Sequence, residues 1–242
     1  MNLKDLRDSV YDFLQAEEDR GLWSSQEIDR YIHQAHMKVF GYVAEAMEDF
    51  CVVTTTISEV ADQADYDLPT DLVRLVWARR VVGSGGSLTR PLPLRRVNRD
   101  AHEIYAQSPS LPGNSSTGDI ADAFYLTGQK TMTLLDTPTA ALTNSIQVRY
   151  VFRPAKMTQD THVPFQQTAG AGGTGFDNLE EYHDLLWLDA AQLALMKEES
   201  DAQVANLGRR YQTRISELQN HIDRVNIHEP RFVRQYDEDN NW

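Results

Sequence analysis

The stretch Ala123-Phe124-Tyr125-Leu126-Thr127-Gly128-Gln129-Lys130-Thr131-Met132-Thr133-Leu134-Leu135-Asp136-Thr137-Pro138, continued by Ile146-Gln147-Val148-Arg149-Tyr150-Val151-Phe152-Arg153-Pro154, decides how the middle of the chain folds. A Phe-Tyr strand runs into a turn at Thr127-Gly128-Gln129-Lys130, and the apolar strand Met132 to Leu135 follows. Phe124 to Leu135 therefore reads as a hairpin around Gly128. Asp136-Thr137-Pro138 is a hinge. Ile146 to Phe152 alternates apolar and polar residues, the pattern of a half-buried strand, and Arg153-Pro154 ends it.

Upstream, Val52-Val53-Thr54-Thr55-Thr56-Ile57 is β-branched and reads as a strand. Tyr66-Asp67-Leu68-Pro69 is a turn leading into a strand over Leu72 to Val82. Gly83-Ser84-Gly85-Gly86-Ser87 is a flexible tip, after which Leu92 to Val97 returns as the partner strand. Asn98 is placed to cap a short helix through Tyr105, and the Pro-, Ser- and Gly-rich run from Ser108 to Gly118 is a loop.

Helices flank this region. Leu3, Leu6, Val10, Phe13 and Leu14 form one stripe over residues 3–15. Trp23, Ser24, Glu27 and Ile28 announce the next helix with a hydrophobic staple and a capping box. Ile28, Ile32, Ala35, Val39, Val43, Ala46 and Phe50 continue it. Residues 157–176 are polar and glycine-rich, a mobile loop or linker. Helix resumes at Asp177 or Asn178 and runs to about Glu199, with Leu179, Tyr182, Leu186, Leu193 and Met196 inward and Leu185, Leu188 and Leu195 widening the face. Ser200 with Gln203 caps a last helix, whose stripe is Val204, Leu207, Tyr211, Ile215, Leu218, Ile222 and Val225.

The expected fold class is α+β: an antiparallel helical bundle formed by the N- and C-terminal helices, with an inserted β-rich module and an extended C-terminal tail. The expected segments are helices at 1–51, the β-rich module at 52–156, a glycine-rich loop at 157–176, helices at 177–225 and the tail at 226–242.

Composition bounds the function. Hydrophobic residues at 41% and charged residues at 24% are ordinary for a globular chain of 242 residues. The N-terminus lacks an apolar signal-peptide core, and no run approaches the roughly 18 apolar residues of a membrane span. The single cysteine, Cys51, excludes an intrachain disulfide, fits a reducing compartment, and reads as a small buried hydrophobe. A net charge of −13 argues against a sequence-reading nucleic-acid binder. The charge is uneven, however. Between Asp71 and Asp100, Arg74, Arg79, Arg80, Arg90, Arg95, Arg96 and Arg99 face two aspartates, a local net of +5, so the remaining residues sum to −18. Either one surface meets an acidic neighbour or these arginines are solvated on an exposed sheet face.

The catalytic motifs fail on context. Gly170-Ala171-Gly172-Gly173-Thr174-Gly175 matches the dinucleotide-binding glycine spacing, but no buried strand precedes it and no βαβ return follows. No Lys-Ser or Lys-Thr follows for a phosphate loop. A nucleotide-binding enzyme using residues 170–175 is the remote alternative. His33 and His36 have metal-compatible spacing without a completing ligand, and read as solvent-edge histidines. His183-Asp184, beside Glu180 and Glu181, reads as a charged first turn. No serine sits in a nucleophile elbow. Neither an enzyme, a cofactor nor a metal site is expected.

The C-terminal Pro230-Arg231-Phe232-Val233-Arg234-Gln235-Tyr236, with Trp242 at the end, interleaves cations and aromatics, the residues enriched at binding hot spots. It either docks into another subunit or folds back on its own helices.

Taken in order, several of these features resemble the head-to-tail adaptor (connector) proteins of tailed bacteriophages over nearly the whole chain. They are the helix pair with the Trp23-Ser24 entry, the Tyr66 to Pro69 turn, the Phe-Tyr hairpin, the apolar strand ending near Pro138 and the strand closing from Tyr150 to Pro154. A long helix pair split near Ser200-Asp201, with Arg210 to Ile215 in its second member, completes the order. The resemblance implies a structural virion protein of the neck, assembled in the host cytoplasm. It would form a homo-oligomeric ring, a dodecamer, beneath the portal, join capsid to tail and line the exit channel for double-stranded DNA without reading its sequence. It further implies portal binding through the C-terminal extension, here Arg231, Phe232, Arg234, Tyr236 and Trp242, and tail or nozzle proteins on the opposite face. Arg74, Arg79, Arg80, Arg95, Arg96 and Arg99 are then subunit-interface candidates, and the wide apolar face on 179–196 suits packing against a ring neighbour. An acidic lumen would let DNA slide without sticking. A tail-completion or stopper protein lower in the neck is the alternative.

Overall fold

The computed structural model describes residues 1–15, 22–46, 51–82, 90–98, 123–128, 130–167, 177–198 and 200–228. Contacts divide the chain into two compact units: Cys51–Pro154, and Met1–Phe50 together with Ala155–Trp242.

The unit Cys51–Pro154 is built on seven strands: β1 (Val52–Glu59), β2 (Asp65–Asp67), β3 (Leu72–Val82), β4 (Arg90–Arg96), β5 (Ala123–Thr127), β6 (Thr131–Leu134) and β7 (Leu142–Phe152). They form one sheet in the order β1-β7-β3-β4-β5-β6-β2. Every pairing is antiparallel except β4 with β5, which is parallel. The two edge strands, β1 and β2, are consecutive in the chain, joined only by residues 60–64. That short tether bends the sheet until it nearly closes into a barrel, which shields edges that would otherwise stay open for pairing. Tyr66 in β2 ties the tether down. Its hydroxyl accepts from the Val60 amide (3.2 Å) and donates to the Gln63 carbonyl (2.8 Å). The Asp62 amide donates to the Pro138 carbonyl at 2.9 Å.

Alternation fills the interior. Ile146, Val148 and Tyr150 of β7 face Ile57, Thr55 and Val53 of β1 in register, and Phe124, Met132, Leu134 and Tyr66 are buried in the same unit. Gly128, at φ +66°, makes the β5–β6 turn in the left-handed region that glycine enters without strain. Glu59 closes one end of the interior. It is 2% exposed, and its carboxylate takes Arg80 through Nε and Nη2, both at 2.8 Å.

The helical unit contains α1 (Leu3–Leu14), α2 (Ser25–Ala46), a 3-10 turn (Asp177–Tyr182), α3 (Asp184–Lys197) and α4 (Asp201–His228). Asn2 and Asp5 exchange the side chain–backbone bonds of a capping box at 2.9 Å each. At the start of α2 the Ser24 hydroxyl accepts the Glu27 amide at 3.3 Å. The Glu27 carboxylate, however, turns outward to Lys197 (2.8 and 3.0 Å) and Tyr31 (3.0 Å). Trp23 donates its indole N–H to the Ala194 carbonyl (3.1 Å), one of the last-turn carbonyls of α3 that lack helical partners. Lys197 also reaches the Leu22 carbonyl. The head of α2 is thus clamped to the tail of α3.

α3 is the hub, lying against α1, α2 and α4. Leu185, Leu186, Leu188, Ala190, Ala191, Ala194 and Leu195 are all buried, covering the helix nearly all round. Lys38 of α2 meets Asp189 of α3 at 2.7 Å and lies 4.5 Å from the Tyr211 ring centroid of α4, drawing three helices together.

The structure corrects the expected fold class. The chain is a mixed α/β protein with a seven-stranded, nearly closed sheet and four α-helices among the described residues, and the antiparallel bundle carrying an inserted β-rich module is not what forms. The reason lies in long-range pairing. Inserting β7 between β1 and β3, and joining β4 to β5 in parallel, fuses locally legible hairpins into one sheet with its own core. The helices pack around one of their number instead of pairing end to end. Most of the wide face on 179–196 is covered by α1, α2 and α4 within the chain. Met196 is exposed and Leu193 half-buried, against expectation. Residues 157–167, read as mobile, are packed: Met157, His162, Phe165 and Gln166 are buried. The readings placed on Phe50, 83–87, 99–105, 108–118, 168–176 and 229–242 lie outside the described residues.

Candidate interaction surface

Directly paired residues and their i±2 neighbours share a face of a sheet, so register sorts the arginines. Trp77 and Arg79 of β3 stand beside Arg149 and Gln147 of β7, and Arg79 stands beside Pro93 of β4. Arg95 follows Pro93 on the same side. Thr54 and Thr56 of β1 extend that side next to Arg149 and Gln147, and both are exposed. The opposite side carries Ala78, Leu94, Val148 and Tyr150, the buried interior. One outer face therefore gathers Arg79, Arg95 and Arg149 across three neighbouring strands. No carboxylate occupies any of these register positions.

The face is preorganised. The Arg79 guanidinium lies 4.6 Å from the Trp77 ring centroid, and its Nε donates to Gln147 Oε1 at 2.7 Å. Stacking and a hydrogen bond fix the planar fork before anything binds, which favours bidentate capture of a carboxylate or phosphate. At one end of β4 and β5, an open hollow of about 330 Å³ is lined by Arg96, Val97, Asn98, Tyr125 and Leu126.

The arginines singled out from the sequence therefore separate. Arg79 and Arg95 share the outer face, with Arg95 and Arg96 exposed on β4. Arg74 is exposed on β3, where the pairing with β7 is irregular. Arg80 points the other way and is spent on Glu59. Arg99, Arg231, Phe232, Arg234, Tyr236 and Trp242 lie outside the described residues, as does the glycine run 170–175. Arg149 and Trp77 belong to the face and were missed. The alternation of β7 carries the signal, since Arg149 falls on the side opposite Val148 and Tyr150.

The cysteine and several histidines elsewhere are buried. Burial pushes the Cys51 thiol up to about 12, with Arg74's charge a smaller opposing effect, which suits a core hydrophobe. The reading of His33 and His36 as solvent-edge groups fails for His36. His36 is fully buried, His33 half-buried and His183 3% exposed. Desolvation pulls His36 down to about 3 and His183 down to about 4, and lowers His33. Asp184, in the charged first turn, is paired with Arg214 at 2.6 Å. Among the described residues, no helix is long and apolar enough to cross a membrane, and no three His, Cys, Asp or Glu side chains are grouped to hold a metal.

The family model described as SU10 adaptor protein matches residues 1–234. No curated protein matches the chain significantly.

Proposed function

From the premise that this chain belongs to the SU10 adaptor protein family, a family of bacteriophage head-to-tail adaptors, we propose that it acts as a ring beneath the portal, joining capsid to tail around the DNA exit channel. It is a structural component of the virion and not an enzyme, a protein whose surfaces rather than any reacting group carry the function. Portal protein and tail proteins are its neighbours, and copies of itself complete the ring, a dodecamer matched to the portal.

The observation that supports this reading best is the charge separation. An otherwise acidic chain, with a net charge of −13, gathers Arg79, Arg95 and Arg149 on one ordered sheet face. A basic face and an acidic remainder on the same molecule favour heterologous, head-to-tail contacts between copies, the kind that close into rings. The acidic balance also suits a channel through which DNA slides without adhering. The portal contact is assigned to the aromatic-cationic tail beyond α4, with Arg231, Phe232, Arg234, Tyr236 and Trp242 as its anchors. Arg74 and Arg96, both exposed, are assigned to the same subunit interface.

Mass photometry of the chain with and without portal tests the assignment. The wild type should join the portal as a multi-copy ring. Arg79→Glu combined with Arg95→Glu should bind the portal only as scattered monomers, and deleting residues 229–242 should remove portal binding while leaving the circular dichroism unchanged. Full rings from the charge-reversed variant would sink the interface assignment, and undiminished binding by the truncated chain would sink the tail assignment.

A further inference from the structure

Residues 155–167 cross the helical unit without regular structure, yet three histidines and one helix end hold them. His36 of α2 accepts the Phe165 amide on Nε2 at 2.8 Å, and its ring lies 4.8 Å from the Phe165 ring. His162 folds back to accept the Thr158 amide on Nδ1 at 3.1 Å. His183 stands on the far side of Phe165, ring centroids 5.8 Å apart, with its Nδ1 3.2 Å from the Met1 amino group. In return the segment caps α1, whose first two amides donate to its carbonyls: Leu3 to His162 (2.9 Å) and Lys4 to Asp160 (3.2 Å). Arg7 adds an ion pair to Asp160 at 3.1 Å.

We propose that residues 155–167 form an acid-releasable strap, held closed by imidazole nitrogens that must stay unprotonated to accept backbone N–H groups. A ring nitrogen that accepts a hydrogen bond cannot also carry a proton, so protonating His36 at Nε2 breaks the bond that ties the strap to α2, and protonating His162 at Nδ1 breaks the turn within the strap. Protonating His183 sets a second cation against the Met1 amino group. Beyond burial, His36 feels the rings of His33 and His183, and His183 feels the Met1 amino group. Among the carboxylates on these elements, Asp29 and Asp160 pair with Arg7, Glu27 with Lys197, Asp184 with Arg214 and Asp189 with Lys38, while Glu45, Glu180 and Glu181 are exposed to solvent. Phe165 is held at φ +60°, a conformation costly for a non-glycine residue, so release also relieves backbone strain.

The direction follows from the depressed values. His36 binds its proton near 3 in the closed strap and at the ordinary 6.5 once exposed, so opening is favoured as pH falls below 6.5 and continues to be until about 3. At pH 4.5 this one residue raises the opening constant about a hundredfold over neutral pH.

Amide hydrogen exchange on the full chain, corrected for intrinsic rate, tests this between pH 7.5 and 4.5. Exchange in 155–167 and at Leu3 and Lys4 should rise about a hundredfold, while amides of β7 stay protected. His36→Gln combined with His162→Asn keeps an acceptor oxygen where each imidazole nitrogen stood and cannot be protonated in this range; it should abolish most of the rise. A rise of equal size in β7, or one that survives the double substitution, overturns the proposal. If the double variant does not fold, wild-type imidazole ¹⁵N shifts decide: His36 must be neutral with its proton on Nδ1 at pH 5, and a half-protonated His36 near pH 6.5 overturns the strap.

Discussion

Removing Arg80 should destabilise the sheet unit more than its position near a strand end suggests. Glu59 and Arg80 sit on β1 and β3, the two strands that flank β7, and their ion pair crosses the interior side of β7 near Ile146. The Glu59 side chain is 1% exposed and that of Arg80 14%. Arg80→Met therefore leaves a carboxylate buried without its counter-ion. Breaking a buried pair from one side costs about 3–5 kcal/mol, and the partial exposure of Arg80 places the value near the low end, about 3 kcal/mol. Glu59→Leu with Arg80→Met removes both charges together and should recover most of that loss, because neither partner is stranded. Trp77 is the one tryptophan between Cys51 and Pro154, so its fluorescence reports this unit during urea unfolding. A double-mutant cycle then isolates the coupling. A loss below about 1 kcal/mol for Arg80→Met, or a double variant no better than Arg80→Met alone, would refute the claim that this pair is desolvated in the closed sheet.

Tyr66→Phe removes the hydroxyl that binds Val60 and Gln63 in the tether between the edge strands; a loss of about 1–2 kcal/mol with faster exchange at Val60 is expected, and unchanged exchange there would argue against the closure. Trp23→Phe keeps an aromatic ring in the site but removes the pyrrole half of the indole and with it the donor to the Ala194 carbonyl. About 1 kcal/mol should be lost on thermal melting, and a variant as stable as wild type would show that the clamp between α2 and α3 rests on packing alone.

The local signals were strong where local physics dominates. Ser24-Glu27 starts a helix through a hydrogen bond spanning three residues. The β-branched run from Val52 and the hairpin around Gly128 declare strands through backbone preference, and the stripe Leu207, Tyr211, Ile215, Leu218, Ile222 is buried as its spacing requires. The order of these elements carried the family resemblance, and the matching family model covers residues 1–234.

The failures share one cause. Burial of the histidines, the inward turn of Arg80 and the packing of 157–167 depend on partners more than 20 residues away, such as Phe165 for His36 and Glu59 for Arg80. Composition called 157–167 a loop, and it lacks regular structure, but only its partners show that it is held.

What the sequence by itself determined was the kind and order of elements, because capping, turn chemistry and periodicity act over a few residues. Which strands pair, that β1 and β2 become the two edges of a nearly closed sheet, and which of two adjacent arginines meets solvent were decided only in the tertiary structure. A strand's two faces are distinguishable from its own pattern, but its neighbours are not. Choosing neighbours depends on the total apolar area buried by the whole sheet, a quantity no single segment contains.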